Sequence, residues 1–340
     1  MAQAWPTLKR LYLNDFSARL LDWYDAHRRD LPWRSDTPDA YAVWLSEIML
    51  QQTTVAAVMA YYRRFLTRWP DVRALAAVED AEVMREWAGL GYYSRARNFL
   101  AAARMMAAEG FPVDEAGWRQ LPGVGRYTAA AVAAIALGQR AVVVDGNVKR
   151  VVARLFIVET PLPAEDEIYR LTDAITPGER AGDFAQAMMD LGATVCTPRS
   201  PKCLLCPVRA GCRAYRQGNP TDYPRRSPKK ARPERTATAW WIERGEGVAL
   251  VRRPPKGLLG GMLGLPVSED AGAGERLGQV THVFTHFRLT LDVRRGTEIA
   301  LDGDVEWWPR ETLDEAGLPT LFRKAVTIAM QEDANVRSGG

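Results

Sequence analysis

All four cysteines of the 340-residue chain lie between Cys196 and Cys212, with Cys203 and Cys206 completing the spacing Cys-x6-Cys-x2-Cys-x5-Cys. Thiols this dense can surround one inorganic centre, and both zinc and a [4Fe–4S] cluster accept four cysteine ligands. Zinc sites usually pair two Cys-x2-Cys elements across a longer spacer, whereas this segment contains one. The spacing therefore favours the cluster over zinc, and four unliganded cysteines are the least favoured alternative.

The remaining composition is that of a globular protein, with 47% apolar and 25% charged residues. No apolar run approaches the roughly 18–20 residues that cross a bilayer, and the first residues lack the pattern of a signal peptide. We therefore expect a cytoplasmic protein without membrane contact. The net charge is only +4, but residues 213–236 contain eight Lys or Arg and two Asp or Glu. This strip favours local contact with phosphates, and a solvated linker is the alternative.

The order of patterns along the chain predicts two domains. Helical spacing of apolar residues in DAYAVWLSEIMLQQTT, and Ala-rich stretches at 74–88, 99–108 and 128–137, predict a mainly α domain over residues 1–212. Within it, AVVV at 141–144 predicts a short strand, and a helix is expected from Asn147 to Val158. Residues 213–236 are predicted to be an interdomain linker. Short strand-like runs and one helix at about 319–331 predict a smaller α+β domain over 237–335.

A second local motif is the hairpin LPGVGRYT at 121–128, which is followed by an Ala/Val helix. Glycines such as Gly123 and Gly125 permit positive φ and close approach of the backbone to a ligand. The free N–H groups at the start of the following helix form a site for an anion, and a DNA phosphate fits it. An ordinary turn between two helices is the alternative.

Two carboxylates have a structural and a functional interpretation. Glu47 lies off the apolar stripe of its predicted helix, on the side of Gln51, so helical spacing predicts a surface residue rather than a core residue. Asp145 precedes the predicted helix at 147–158 and is expected to cap it.

Taken together, these segments resemble the helix-hairpin-helix DNA glycosylases that carry a [4Fe–4S] cluster, and within them the adenine DNA glycosylase (MutY) family. The resemblance covers nearly the whole chain and includes the cysteine spacing. The other matching segments are LPWR (31–34), WLSEIMLQQT (44–53), GLGYYSRARN (89–98), LPGVGRYTAAAV (121–132), VDGNVKR (144–150) and FAQAMMDLGATVC (184–196). It implies a two-lobed helical glycosylase domain with a cluster loop at 196–212, whose cofactor is a [4Fe–4S] cluster held by the four cysteines.

The resemblance also assigns roles to residues of this chain. It makes Glu47 the acid that protonates N7 of adenine, held protonated by a dry pocket, and Asp145 the charge that stabilises an oxocarbenium-like sugar. Tyr127 and Asn147 match positions that support these carboxylates. Because the target base must leave the duplex, Gln52 and Tyr92 are implied to probe or wedge the vacated stack. Arg34 and Gln186 are implied to line the base pocket.

The C-terminal domain resembles the Nudix-like domain of the same family, through VRRPPKGLLGGMLGLP at 251–266. The spaced carboxylates that bind metal in Nudix hydrolases are absent from PVSEDAGAGERLGQ, so we expect no magnesium site there. In the family, an aromatic-Ser-His loop of this domain recognises 8-oxoguanine. This chain has Phe284, Thr285 and His286 in that place, with threonine where the family has serine.

The function implied is a monofunctional DNA glycosylase of base excision repair. Its substrate is double-stranded DNA with adenine opposite 8-oxoguanine or guanine, on which it acts as a monomer in a bacterial cytoplasm, associated with the nucleoid through DNA. One alternative is a bifunctional glycosylase/lyase of the same fold, against which Tyr127 and the C-terminal domain argue. The other is a noncatalytic DNA-binding protein, which does not account for the two carboxylates.

We predict that base release occurs without strand scission. Glycosylases that cut the strand through an imine have a lysine where this chain has Tyr127, and a phenol forms no imine with an abasic sugar. The product strand should break only after alkali, and borohydride should trap little enzyme on DNA. Efficient trapping that survives substitution of Lys149, the amine nearest in sequence to Asp145, contradicts this assignment.

Overall fold

A computed structural model describes residues 4–228, 231–254, 257–269, 273–284, 286–296 and 304–338. The chain divides into two compact units, Met1–Leu75 with Ala102–Pro228 and Ala76–Ala101 with Lys229–Gly340. The described helices are α1 Ala4–His27, α2 Ala40–Leu50, α3 Val55–Arg68, α4 Val72–Ala76, α5 Asp80–Glu86, α6 Ser94–Glu109, α7 Glu115–Trp118, α8 Arg126–Ile135, α9 Gly146–Phe156, α10 Glu165–Ile175, α11 Ala181–Asp190, α12 Arg213–Arg216 and α13 Thr320–Ser338. None of these described helices has the length and apolarity that a membrane crossing requires.

Side-chain caps set the starts of the helices that surround the site. Asp39 accepts a hydrogen bond from Ala42 N at the start of α2, and Thr54 accepts one from Ala57 N at the start of α3. Asp114 caps α7 in the same way. Such caps satisfy backbone N–H groups that have no partner within the helix, and each contributes about 1 kcal/mol.

The helical core of the first unit is built around α9. Apolar residues of α1, α9, α10 and α11 form one buried cluster, in which Leu20, Val152 and Ile168 are completely inaccessible to solvent. The Ala-rich helix α8 packs on α11 with small side chains, so the two helices approach closely. The mainly α character expected for this part of the chain is therefore confirmed.

The apolar run at 141–144 does not form the strand that the sequence predicts. Ala141 and Val143 are buried against α8, but the described residues provide no strand that pairs with this segment. A short apolar run can bury its side chains either as a strand or as an irregular segment. It becomes a strand only where a neighbouring strand is present to pair with it.

The basic strip at 213–236 is largely ordered rather than a free linker. Its Tyr223 is 2% exposed, and the Tyr223 carbonyl accepts a hydrogen bond from Arg154 Nε at 3.0 Å. The Tyr223 hydroxyl donates to a carboxylate oxygen of Glu159, with which Arg225 also pairs. Prolines and positive charge indicated a linker, but the aromatic side chain ties the segment to the first unit. Lys229 and Lys230 of the strip lie outside the described residues.

The second unit contains two β-sheets and α13, which confirms the α+β domain. Its strands are β1 Glu234–Trp241, β2 Glu243–Arg244, β3 Gly247–Arg252, β4 Leu263–Gly264, β5 Val267–Ser268, β6 Arg276–Val283, β7 Arg288–Arg295 and β8 Val305–Pro309. One sheet has the order β5-β1-β7-β6, with β1 and β7 parallel. In the other, β3 pairs with β2, β4 and β8. Helix α13 packs on β6 and β7.

Residues 76–101 belong to this second unit, although the sequence placed them with the N-terminal domain. Arg97 donates through Nη1 to the carbonyl of Gly260. Arg85 lies against Gly317, where an added Cβ would be 3.0 Å from the arginine side chain. These contacts join segments far apart in sequence, which composition alone does not indicate.

We predict that Gly182→Ala destabilises the first unit. A Cβ at Gly182 in α11 would lie 2.4 Å from the backbone oxygen of Ala134 in α8, and a backbone atom cannot move aside alone. Overpacking of this kind costs about 1–3 kcal/mol of unfolding free energy. Chemical denaturation measures the change. Gly178→Ala is the control, because nothing lies within 4 Å of its Cβ, and equal loss in both variants contradicts the close contact.

Candidate active site

A cavity of about 1100 Å³ in the first unit gathers most of the residues that the sequence assigned to catalysis and base binding. Those on its wall are Arg34, Glu47, Gln52, Gly123, Gly125, Tyr127, Asp145, Asn147 and Gln186. They come from α2, α8, α11, the start of α9, the hairpin before α8, and the segments that follow α1 and α2. A helical scaffold therefore fixes side chains from distant parts of the sequence around one space.

Glu47 is 5% exposed, so the prediction of a surface residue was wrong. All residues of α2 from Val43 to Met49 are buried, and the side of the helix away from the apolar stripe faces the cavity rather than solvent. The Tyr127 hydroxyl, from α8, donates to Glu47 Oε2 at 2.6 Å. The helical wheel could not reveal this contact, because Tyr127 comes from a distant part of the chain.

The pKa of Glu47 is raised from 4.5 to about 7, because burial and the nearby charge of Asp145 both disfavour the ionised carboxylate. The Tyr127 hydrogen bond and the Arg34 guanidinium act in the opposite direction, because both stabilise the ionised carboxylate. Burial has the largest effect. Near neutral pH a substantial fraction of Glu47 therefore keeps its proton, as a general acid requires. The expected raised pKa agrees with the structure.

Asp145 caps α9, as the sequence predicted. Its Oδ1 accepts from Val148 N at 2.7 Å, and its Oδ2 accepts from Asn147 Nδ2 at 2.8 Å. The two bonds hold the carboxylate at the cavity wall in one orientation. They also place a negative charge at a helix N-terminus, where the helix dipole stabilises it.

A hydrogen-bonded chain leads from this cap to the cysteine loop. Arg150 donates through Nη2 to Asn147 Oδ1 at 2.8 Å and to the Gly192 carbonyl at 2.6 Å. Its Nε donates to the Cys196 carbonyl at 2.8 Å. The Arg150 guanidinium thus binds both the backbone of Cys196 and the side chain of Asn147, which orients Asp145.

The hairpin between α7 and α8 lies at the same cavity. Gly123 has φ 74°, a conformation that favours glycine, as expected. Gly125 has φ −86° and caps α8, so positive φ is not the reason for glycine there. An added Cβ at Gly125 would meet no atom within 4 Å, so the missing side chain leaves the backbone open to a ligand.

Other assigned residues lie in the second unit. Tyr92 and Phe284 line a cavity of about 310 Å³ there, together with Arg97 and His282. Tyr92 is 44% exposed and has φ 48°. His286 is exposed but is not part of the wall of this cavity, and Thr285 lies outside the described residues.

The cysteine loop supplies the chemistry that an iron–sulfur cluster requires. Cys196, Cys206 and Cys212 pack against the helical core, and all four thiols are partly buried. Arg154, which is 1% exposed, donates to Cys196 Sγ at 3.2 Å. A buried cation that donates to sulfur stabilises a negatively charged thiolate ligand. Within the described residues, no group of three His, Cys, Asp or Glu side chains has the geometry for a single metal ion.

Sequence reasoning missed two residues beside the pocket. Asp190, the last residue of α11, is completely buried and binds Arg34 through two hydrogen bonds of 2.7 Å. Arg29 also pairs with Asp190 and lines the cavity. The only available signal was the position of both charged residues within or next to segments that carry the family resemblance.

Comparison with known proteins agrees with this geometry. A family model described as HhH-GPD superfamily base excision DNA repair protein matches residues 45–177. The iron–sulfur binding domain of endonuclease III matches residues 196–212, and a NUDIX domain matches 237–327. The fold and site therefore define a DNA glycosylase of the helix-hairpin-helix superfamily that carries a [4Fe–4S] cluster-binding loop.

Individual relatives show which family within this superfamily the chain belongs to. The chain is 34% identical to the adenine DNA glycosylase of Homo sapiens over 92% of its own length and 73% of the human protein. It is 34% identical to that of Arabidopsis thaliana, of which it spans 64%. The structure of a thermostable thymine-DNA glycosylase superposes with a TM-score of 0.57 at 30% identity, over 62% of this chain and 99% of that one. This protein belongs to the adenine DNA glycosylase family.

We predict that Glu47→Gln abolishes base release while DNA affinity stays within about threefold. The amide fits the same space but cannot donate the proton, and general acid catalysis typically supplies a factor of about 10²–10⁴. Single-turnover excision and a binding titration measure the two properties. Glu109→Gln, an exposed change in α6, is the control. Near-normal excision by Glu47→Gln would remove Glu47 from the mechanism.

Proposed function

We propose that this protein hydrolyses the N-glycosidic bond of adenine opposite 8-oxoguanine or guanine in duplex DNA, and leaves an abasic site. The observation that carries the proposal is the buried Glu47 carboxyl group, which has a pKa of about 7. This group lines the same cavity as Asp145, the N-cap of α9. Two carboxyl groups with different environments are the arrangement that cleavage of a glycosidic bond requires.

Glu47 acts as the acid in this mechanism. It donates its proton to N7 of adenine, so the bond between C1′ and N9 breaks and the base leaves as a neutral molecule. Water adds to C1′, and a carboxylate of the site accepts the proton released from that water. Tyr127, fixed at 2.6 Å from Glu47 Oε2, orients the carboxyl group towards the base.

Asp145 stabilises the positive charge that develops on the sugar. Its two hydrogen bonds, from Val148 N and Asn147 Nδ2, fix the carboxylate before substrate arrives. A preorganised charge needs no reorientation as the bond breaks, so its attraction lowers the barrier.

The adenine enters the cavity after rotation out of the duplex. Gln52, exposed at the cavity wall with φ 57°, fills or probes the vacated position, and Tyr92 acts as a wedge. The backbone at Gly123 and Gly125 binds a phosphate of the same strand. Arg34 and Gln186 contact the base. Unstacking costs a few kcal/mol, and these contacts offset it.

The second unit recognises the base opposite adenine. We assign this task to the cavity that contains Tyr92 and Phe284, together with His286. The family resemblance also assigns Thr285, which lies outside the described residues. Phe284 lies 4.5 Å from the His282 ring and 4.9 Å from Phe287, between ring centroids, so the region offers stacking surface beside polar groups. Adenine opposite thymine must be spared, and a surface that discriminates the opposite base meets that need.

Cys196, Cys203, Cys206 and Cys212 are assigned as the four ligands of the [4Fe–4S] cluster. These four thiolates would hold the cluster, which would join them covalently, and Arg150 hydrogen-bonds both the Cys196 carbonyl and Asn147. We further assign 1–212 and 237–335 as the two domains along the sequence, with 213–236 between them, although residues 76–101 of the first fold with the second compact unit. The enzyme acts as a monomer on nucleoid DNA in the cytoplasm.

One assay tests the proposal against its alternatives. Duplexes with adenine opposite 8-oxoguanine, guanine or thymine, and duplexes with thymine glycol, are incubated with excess enzyme, and strands are analysed before and after alkali. Release of adenine from the first two, with breaks only after alkali, supports the proposal. Release of thymine glycol with direct breaks supports a glycosylase/lyase, and binding without any release supports a noncatalytic protein.

We predict that Phe284→Ala combined with His286→Ala lowers the preference for 8-oxoguanine over guanine about tenfold to a hundredfold. The reason is that base-edge contacts discriminate by roughly 1–3 kcal/mol each. Excision from both duplexes is compared at one salt concentration, because phosphate contacts make affinity depend on salt.

The matched control is Phe111→Ala combined with His27→Ala, an exposed aromatic and an exposed histidine of the first unit. If the Phe284 and His286 variant keeps the preference of the parent protein, another surface recognises 8-oxoguanine.

A further inference from the structure

Asp190 occupies an unusual position for a carboxylate. Its side chain is completely inaccessible to solvent, and it lies behind the wall of the active-site cavity rather than on it. It forms a bidentate pair with Arg34, in which Nη1 and Nη2 each donate at 2.7 Å. Arg29 adds its Nε at 2.7 Å and its backbone N at 3.1 Å. A bidentate pair fixes the plane of the guanidinium as well as its position.

The hydrogen bonds of Asp190 with Arg34 and Arg29, here called the Asp190 clamp, determine which N–H donors of Arg34 are left to bind a base. Nη1 donates to Asp190 and also to the Arg29 carbonyl at 3.1 Å, and one hydrogen of Nη2 is used by Asp190. Nε and the second hydrogen of Nη2 have no partner among the bonds of the described residues. The Arg34 side chain is 10% exposed, and that remainder lines the cavity.

The Asp190 clamp also affects the electrostatic environment of Glu47, because Asp190 pairs with the positively charged Arg34. Arg34 is the positive group that lowers the pKa of Glu47, whereas burial and Asp145 raise it. Because Asp190 pairs with Arg34, its negative charge offsets the positive charge of that guanidinium. The titratable and charged groups that face Glu47 or share its cavity wall are Tyr127, Asp145, Arg34, Arg29 and Lys149.

We propose that Asp190 is a positioning residue for adenine release, which fixes the Arg34 guanidinium for the flipped base and balances its charge so that Glu47 keeps its proton. The proposal rests on the roles assigned above to Glu47 and Arg34. It predicts an effect on the pH profile that loss of folding stability alone does not produce.

The test is Asp190→Asn in the full-length protein with its cluster. Without the carboxylate, Arg34 loses its bidentate partner, and a misplaced contact lowers the excision rate about 10- to 100-fold. The uncompensated guanidinium also lowers the pKa of Glu47, so the loss of excision at high pH begins about one unit lower than in the parent protein. Single-turnover excision across pH 5–9 measures both effects. Asp183→Asn, an exposed carboxylate on the same helix, should change neither.

Two further variants keep the test decisive, because removal of one partner of a buried pair can prevent folding. Asp190→Glu retains the charge, so it should lower the rate without moving the pH profile. Asp190→Asn combined with Arg34→Gln removes both charges, so its profile should return to within about half a unit of the parent profile. Circular dichroism and cluster absorbance establish that each variant is folded.

Equal loss of rate at every pH in Asp190→Asn would overturn the proposal, as would a double variant whose profile stays displaced. Failure of the proposed function is distinguishable, because it would appear as absence of adenine release by the parent protein or as activity of Glu47→Gln.

Discussion

The withdrawal of one carboxyl group from water is the constraint on which the rest of this site depends. Glu47 is buried in a helix whose other residues are almost all apolar, and among the described residues no cation forms an ion pair with it. Burial therefore favours its neutral form. The fold places Tyr127 at 2.6 Å so that the group stays oriented, and Asp145 adds a negative charge nearby. An acid usable at neutral pH is the direct consequence of this packing.

The second carboxylate, Asp145, lies in a different environment from that of Glu47. Asp145 receives two hydrogen bonds and lies at the start of α9, so its surroundings stabilise a negative charge. Asn147 and Arg150 continue from it to the carbonyl of Cys196. These hydrogen bonds connect the first cysteine of the cluster-binding loop to Asn147, which orients Asp145.

The sequence correctly predicted the features that depend only on a few adjacent residues. The cap at Asp145, the glycine at position 123 and most helices were correct, because caps and positive φ are properties of a few adjacent residues. Helical spacing did not predict the burial of Glu47, which only the family resemblance implied, because the surface that covers it comes from Tyr127 in another part of the chain. The pairing of Asp190 with Arg34, and the hydrogen bond from Arg154 to the Tyr223 carbonyl, depend on tertiary contact in the same way. The segment 141–144 had strand-like composition, but no strand lies beside it.

The central claim is that burial keeps Glu47 protonated near neutral pH, and a direct titration tests it. Carbon-13 labelled glutamate in the holoprotein, with the Glu47 side-chain resonance assigned by its loss in Glu47→Gln, gives the pKa of this one group. We expect a midpoint at about 7, well above the ordinary value of 4.5. A midpoint near 4.5 would mean that the carboxyl is ionised at neutral pH, and it would contradict the account.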